Sequence, residues 1–150
     1  MRVIAADTIV EHASIKVNFY NNQFINVDIE TEPLEEVLKL ADFITLHIPA
    51  QKNGYVIGKK EFDLMKKGAA IVNCSRGGVI DEEALVEALD SGKIAFAGLD
   101  VFINEPTPSE TVLTHPKISL TPHTGAATVE AQDRIALSLA HQICSILQVH

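Results

Sequence analysis

Residues 69–78 read AAIVNCSRGG. Ala69–Asn73 is a short apolar run of the kind that forms a buried strand, and the Gly77-Gly78 pair ends it in a turn. The pattern recurs twice downstream. Ile94–Val101, apolar apart from Gly98 and Asp100, runs into the stretch LDVFINEP (Leu99–Pro106) and so into Glu105. Ile118–Leu120 runs into TPHTG (Thr121–Gly125) and so into Pro122 and His123. One Arg (Arg76), one Glu (Glu105) and one His (His123) therefore each lie a few residues past the end of a separate strand. In an open parallel sheet those ends share one edge, and ligands bind in the crevice outside it.

Working outward, Arg2–Ala6 reads as a short strand ending at Asp7, Thr8–Asn22 as polar and irregular, and Gln23–Asp28 as a second short strand. Thr31 is placed to cap a helix starting at Pro33, with Leu34, Val37, Leu38 and Ala41 on one face. Phe43–His47 is the next strand, closed by Pro49. Lys59–Lys67 reads as a helix with Phe62 and Met65 inward, stopped by Gly68. Asp81 caps a helix, EEALVEALDSG, with Gly92 past its end. Asn104–Pro116 is a Pro- and Thr-rich loop. Thr128–Gln148 is a long amphipathic helix with Ala131, Ile135, Leu139, Ile143 and Ile146 or Leu147 inward. Strands alternate with helices. The expected fold is α/β, an incomplete Rossmann-like, mostly parallel sheet with helices on both faces.

The 150 residues suffice for one domain with a real core, and 47% apolar with 21% charged residues is a globular composition. The net charge of −8 leaves little basic surface and excludes non-specific nucleic-acid binding. No apolar run is long enough for a membrane span, and the N-terminal MRVIAADTIV is too short and polar for a signal peptide. Cys74 and Cys144 show no metal-like spacing and no disulfide framework, so a cytoplasmic location and no metal are expected.

Each candidate residue has two readings. The imidazole of His123, its backbone pinned by Pro122, suits general acid–base chemistry, or it is a helix-flanking surface His. Glu105 can bond one ring nitrogen of His123 and orient it, or it is a solvated loop residue. Arg76, between Ser75 and the Gly pair, suits bidentate capture of a carboxylate, or it is a surface Arg before a turn. Asp7 at a strand end suits the ribose hydroxyls of an adenine dinucleotide and favours NAD over NADP, or it serves a turn or cap. Asp100, flanked by apolar residues, needs a partner, either a ligand amide or a backbone N–H.

NCSRGGVIDEEAL, GLDVFINEP and PHTGAATVEAQ, in this order, resemble the successive signatures of the D-2-hydroxyacid dehydrogenase superfamily, and PHTGAAT followed by EAQ resembles its phosphoglycerate dehydrogenase branch most. The resemblance implies an NAD-dependent oxidoreductase with a small-molecule 2-hydroxy acid substrate. It assigns Arg76 to the substrate carboxylate and carbonyl, His123 to proton exchange with the 2-oxygen, and Glu105 to pairing with His123. It places Asp7 at the adenosine ribose and Asp100 at the nicotinamide amide, with His47, Pro49, Cys74, Ser75 and Gly125 lining the cofactor cleft. A glyoxylate or hydroxypyruvate reductase, and a non-catalytic NAD-sensing interaction domain, are the alternatives on the same fold.

The superfamily's cofactor domain opens with a strand and a G-x-G-x-x-G loop, and no such motif precedes Asp7 here. The expectation is a truncated chain: residues 1–150 as a partial NAD-binding domain with the first strand, glycine loop and first helix missing, and no substrate domain. Little turnover is expected of the chain alone. Met1–Asp28 is expected to be its least securely held part, or to exchange a strand with another copy in a homo-oligomer.

Overall fold

The computed structural model describes residues 1–21, 23–50 and 54–147. Eleven elements follow in order among them: β1 (His12–Asn18), β2 (Phe24–Glu30), α1 (Leu34–Leu40), β3 (Phe43–Leu46), α2 (Lys59–Leu64), β4 (Ala69–Asn73), α3 (Glu82–Asp90), β5 (Ile94–Leu99), α4 (Glu110–Leu113), β6 (Ile118–Leu120) and α5 (Val129–Leu147). Strands β3-β4-β5-β6 form a parallel sheet in that order. Strands β1 and β2 form a separate antiparallel pair. The chain has the expected α/β, Rossmann-like architecture.

The sheet is built from alternation. Ile44 and Leu46, Ala69, Ile71 and Asn73, Ala97 and Leu99, and Ile118 are buried on one face. All but Asn73 join Leu38 of α1, Phe62 of α2, Leu85 and Leu89 of α3 and Val112 of α4 in a single apolar cluster. Each fully buried side chain of this size contributes roughly 1.5–3 kcal/mol. When the strand order is consecutive and crossovers have their usual right hand, every connecting helix falls on the same side of the sheet. The sequence predicts helices on both faces, but the opposite face lies open, with Phe43 80% and Phe96 64% exposed.

Helix α3 begins as its sequence predicts: Asp81 Oδ1 accepts the N–H groups of Glu83 and Ala84. One of its neighbours is shorter than expected, and another is unexpected. Helix α2 ends at Leu64, with Met65 still buried beyond it, and Asn104–Pro116 is not all loop, because it holds the single turn α4.

The N-terminal reading needs correction. Arg2–Ala6 is not a strand; it makes only an isolated bridge between Ala5 and Thr31. The stretch expected to be irregular instead supplies β1, whose residues pair from His12–Glu30 to Asn18–Phe24. Both strands alternate polar and apolar residues, and that period supports pairing without a buried face. Thr31 does not cap α1. Its hydroxyl donates to the carbonyl of Val10, and Pro33 occupies the cap position.

Helix α5 forms where the periodicity puts it, but its apolar stripe is uncovered. Ala131 is buried, whereas Ile135, Leu139 and Ile143 are 50%, 54% and 46% exposed. Gln148, the expected last residue, lies outside the described residues. Periodicity reports which face a helix would bury, and not whether a partner surface is present.

Candidate active site

The parallel register aligns the carboxyl ends of all four strands. Leu46 pairs with Asn73, Asn73 with Leu99, and Leu99 with Leu120. His47, Cys74-Ser75-Arg76, Asp100 and Thr121–Gly125 therefore leave the sheet along one edge.

His123 and Glu105 meet there. His123 Nδ1 lies 2.8 Å from Glu105 Oε2, and the other carboxylate oxygen of Glu105 accepts the N–H of Phe102 at 2.8 Å. The His123 bond and the Phe102 N–H together hold the Glu105 carboxyl below its ordinary range. His123 itself sits at φ +53, in the left-handed region. A non-glycine residue there costs about 1–2 kcal/mol and persists only where its surroundings hold it. Its surroundings here are Glu105 on the ring and the Asp100 network on the backbone just beyond.

Asp100 is 4% exposed and organises the turn carrying His123. Its Oδ1 accepts the hydroxyl of Thr121 and, at 2.9 Å, the N–H of Thr124, while Oδ2 accepts the N–H of Gly125 at 3.0 Å. Burial pushes its carboxyl up, but these donors and the nearby His123 outweigh burial and hold it low. Of the two partners expected for Asp100, backbone N–H is the one found. The approach at Gly125 is close: a Cβ there would lie 3.2 Å from Asp100 Oδ2.

The turn after β4 is closed by Asn73, which is buried. Its Oδ1 accepts the N–H and hydroxyl of Ser75, and its Nδ2 donates to the carbonyl of Arg76. Arg76 is exposed, with Nη1 donating to the Ser75 carbonyl at 2.7 Å. Among the described residues no hydrogen bond or ion pair joins Arg76 to Glu105 or His123; it shares the edge without touching them. Cys74 is exposed. His47, also exposed, lies with Nε2 3.0 Å from the Thr45 hydroxyl, and exposed Pro49 follows.

Of the two readings of Asp7, the structure shows the turn, and it corrects the strand end. Asp7 ends no strand, and its Oδ1 accepts the N–H groups of Ile9 and Val10 in a local turn. Those bonds hold its carboxyl low.

Three residues that matter to this geometry carried no functional signal in the sequence. Thr121 and Thr124 hold Asp100, and Gly77 lets two loops touch: a Cβ on it would fall 1.9 Å from the Phe102 carbonyl oxygen. Beside His123 and Glu105 opens a groove of about 490 Å³ walled by Phe102, Pro106, Pro108, Leu113, Leu120 and Pro122.

A parallel sheet with a carboxylate–imidazole pair and exposed polar groups along its carboxyl edge defines a Rossmann-type dehydrogenase domain. The chain belongs to the D-isomer specific 2-hydroxyacid dehydrogenase family, whose NAD-binding domain matches residues 1–125. It is 49% identical over 118 residues to D-3-phosphoglycerate dehydrogenase of Methanocaldococcus jannaschii, covering 78% of this chain and 22% of that protein. A glyoxylate reductase structure from Paecilomyces thermophila is 41% identical with a TM-score of 0.68, over 73% of this chain and 34% of that one. The NAD-complexed D-isomer specific 2-hydroxyacid dehydrogenase of Lactobacillus delbrueckii ssp. bulgaricus is 28% identical with a TM-score of 0.66, over 81% of this chain and 42% of that one. The chain thus spans about a fifth to two fifths of the length of these relatives. Among the described residues, no helix is long and apolar enough to cross a membrane.

The chemistry of the edge fits the nicotinamide end of NAD. Imidazole (His47, His123), hydroxyl (Ser75) and guanidinium (Arg76) groups rim the crevice, and the Asp100 carboxylate lies just behind it.

Proposed function

We propose that residues 1–150 form the nicotinamide-facing part of an NAD-binding domain, and that the whole protein moves a hydride between NAD and C2 of a small 2-hydroxy acid. The observation that carries this reading is the 2.8 Å pairing of Glu105 with His123 Nδ1, on a histidine held in the left-handed region at the sheet's carboxyl edge. With Nδ1 engaged, Nε2 is the nitrogen left to exchange a proton with the substrate's 2-oxygen. Glu105 stabilises the imidazolium that forms when the hydroxyl proton is taken. Arg76, its guanidinium exposed and tethered to Ser75, binds the substrate carboxylate and polarises the 2-oxo group. Asp100 orients the turn and meets the nicotinamide amide side, with His47, Pro49, Cys74, Ser75 and Gly125 along the cleft and Asp7 at the adenosine ribose. NAD supplies the hydride chemistry when bound.

Within the family we take 3-phosphoglycerate as the substrate, oxidised to 3-phosphohydroxypyruvate on the way to L-serine. The 49% identity to a phosphoglycerate dehydrogenase and the EAQ after PHTGAAT support this. One observation favours a glyoxylate or hydroxypyruvate reductase instead: among the described residues, the groove beside His123 has no Lys or Arg in its wall to meet a phosphate.

The first test is calorimetric titration of the chain with NADH. Saturable binding that Asp100→Ala weakens at least tenfold supports the cofactor reading, and no detectable heat for the folded chain overturns it for these residues. In the whole protein, His123→Gln is expected to lower turnover by about 10²–10⁴-fold, the usual contribution of an acid–base group. Faster turnover of glyoxylate than of 3-phosphoglycerate would select the second substrate.

A further inference from the structure

The geometry points to Glu82 as a positioning residue for the Glu105–His123 pair. Glu82 is the first residue of α3 and only 8% exposed. A carboxylate is costly to bury unless it is bonded. Glu82 Oε1 accepts the N–H of Ile103 at 2.7 Å. The preceding amide, of Phe102, donates to Glu105 Oε1 at 2.8 Å. Two successive amides of one loop thus hold two carboxylates, one fixing the loop to α3 and the other fixing Glu105 to the loop.

The loop needs this anchor. Asn104, between the anchored amides and Glu105, sits at φ +60, which turns the chain back so that Glu105 reaches its own loop. That conformation is disfavoured for a residue with a Cβ, even for Asn. On its other side the Phe102 carbonyl packs against Gly77. If Ile103 loses its acceptor, the 102–103 peptide is free to rotate, residues 103–105 swing with it, and the Glu105 carboxylate leaves the Phe102 N–H and loses its aim at His123 Nδ1. The inference rests on the acid–base reading of that pair.

Burial pushes the Glu82 carboxyl up, against the Ile103 N–H. A neutral acceptor should therefore serve as well, which separates positioning from charge. The test is a carbon-detected NMR titration of Glu105 in the full chain, with amide exchange of Phe102 followed in parallel. Glu82→Leu fills the space without accepting a bond. It is expected to move the Glu105 pKa up toward the ordinary value of about 4.3 and to speed Phe102 exchange. Glu82→Gln is expected to leave both as in the parent chain. A folded Glu82→Leu with Glu105 unmoved overturns the proposal, as does a Glu82→Gln that shifts Glu105 as far. Should Glu82→Leu not fold, Glu82→Ala, which also removes the acceptor, takes its place with the same expected and overturning results. His123→Gln separates the two levels. If it leaves Glu105 where it was, the pair itself fails, whatever Glu82 does.

Discussion

At Asp100 a single carboxylate replaces what would otherwise be several unpaired donors, since it accepts from Thr121, Thr124 and Gly125 at once. Its carboxyl is held low in the folded chain. Its stabilisation is therefore complete above the ordinary Asp pKa of about 3.9 and is lost as pH falls through the lowered folded value. Asp100→Asn turns an amide NH₂ toward donors that thereby lose an acceptor. It is expected to cost roughly 1–3 kcal/mol at pH 7 and to flatten the fall of stability as pH drops below about 4. Urea unfolding across that range checks both, and an Asn variant with the parent's pH dependence would move the effect elsewhere. The need for a partner at Asp100 was legible from its apolar neighbours. Which partner it took was not, because Thr121 and Thr124 reach it only after β5 and β6 align. Asp7 shows the converse: its local turn, one of the two roles the sequence offers, satisfies it within three residues.

At the scale of elements, the strands of the parallel sheet were the most readable part. Ala69–Asn73 and Ile118–Leu120 form where the apolar runs put them. Short buried strands reveal themselves by composition, whereas β1, exposed on most of its length, does not. The two glycines after Arg76 read alike in sequence but differ in the fold. Gly78 is at φ +77 with nothing near it, while Gly77 abuts the Phe102 backbone. Gly78→Ala should therefore cost about 1–2 kcal/mol of backbone strain. Gly77→Ala should cost more and push the β5 loop away, raising the Glu105 pKa as it does. Thermal unfolding of the two variants, with the same NMR titration, checks the order.

The whole molecule is unevenly held. The β1–β2 pair buries little, with Ile15, Phe24 and Ile25 about half exposed, whereas β4 and β5 lie inside the main cluster. Amide exchange in β1 and β2 is expected to be far faster than in Ile71 or Ala97, because local opening costs little where little apolar surface is buried. Equal protection of both sheets in a dilute monomer would contradict this. The open sheet face and the bare stripe of α5 are exposed apolar surfaces of a kind that folded proteins normally cover. The parallel strands β3 to β6, the helices α1 to α3 beside them and the three residues at the sheet's carboxyl edge follow from local pattern, since burial and turn chemistry repeat at short range. The contact of Glu105 with His123, the three-donor cradle of Asp100, the tie from Glu82 to Ile103 and the uncovered side of α5 do not. Each joins or parts residues 18 or more positions apart, or depends on which surfaces lie opposite, and only the folded backbone fixes those distances.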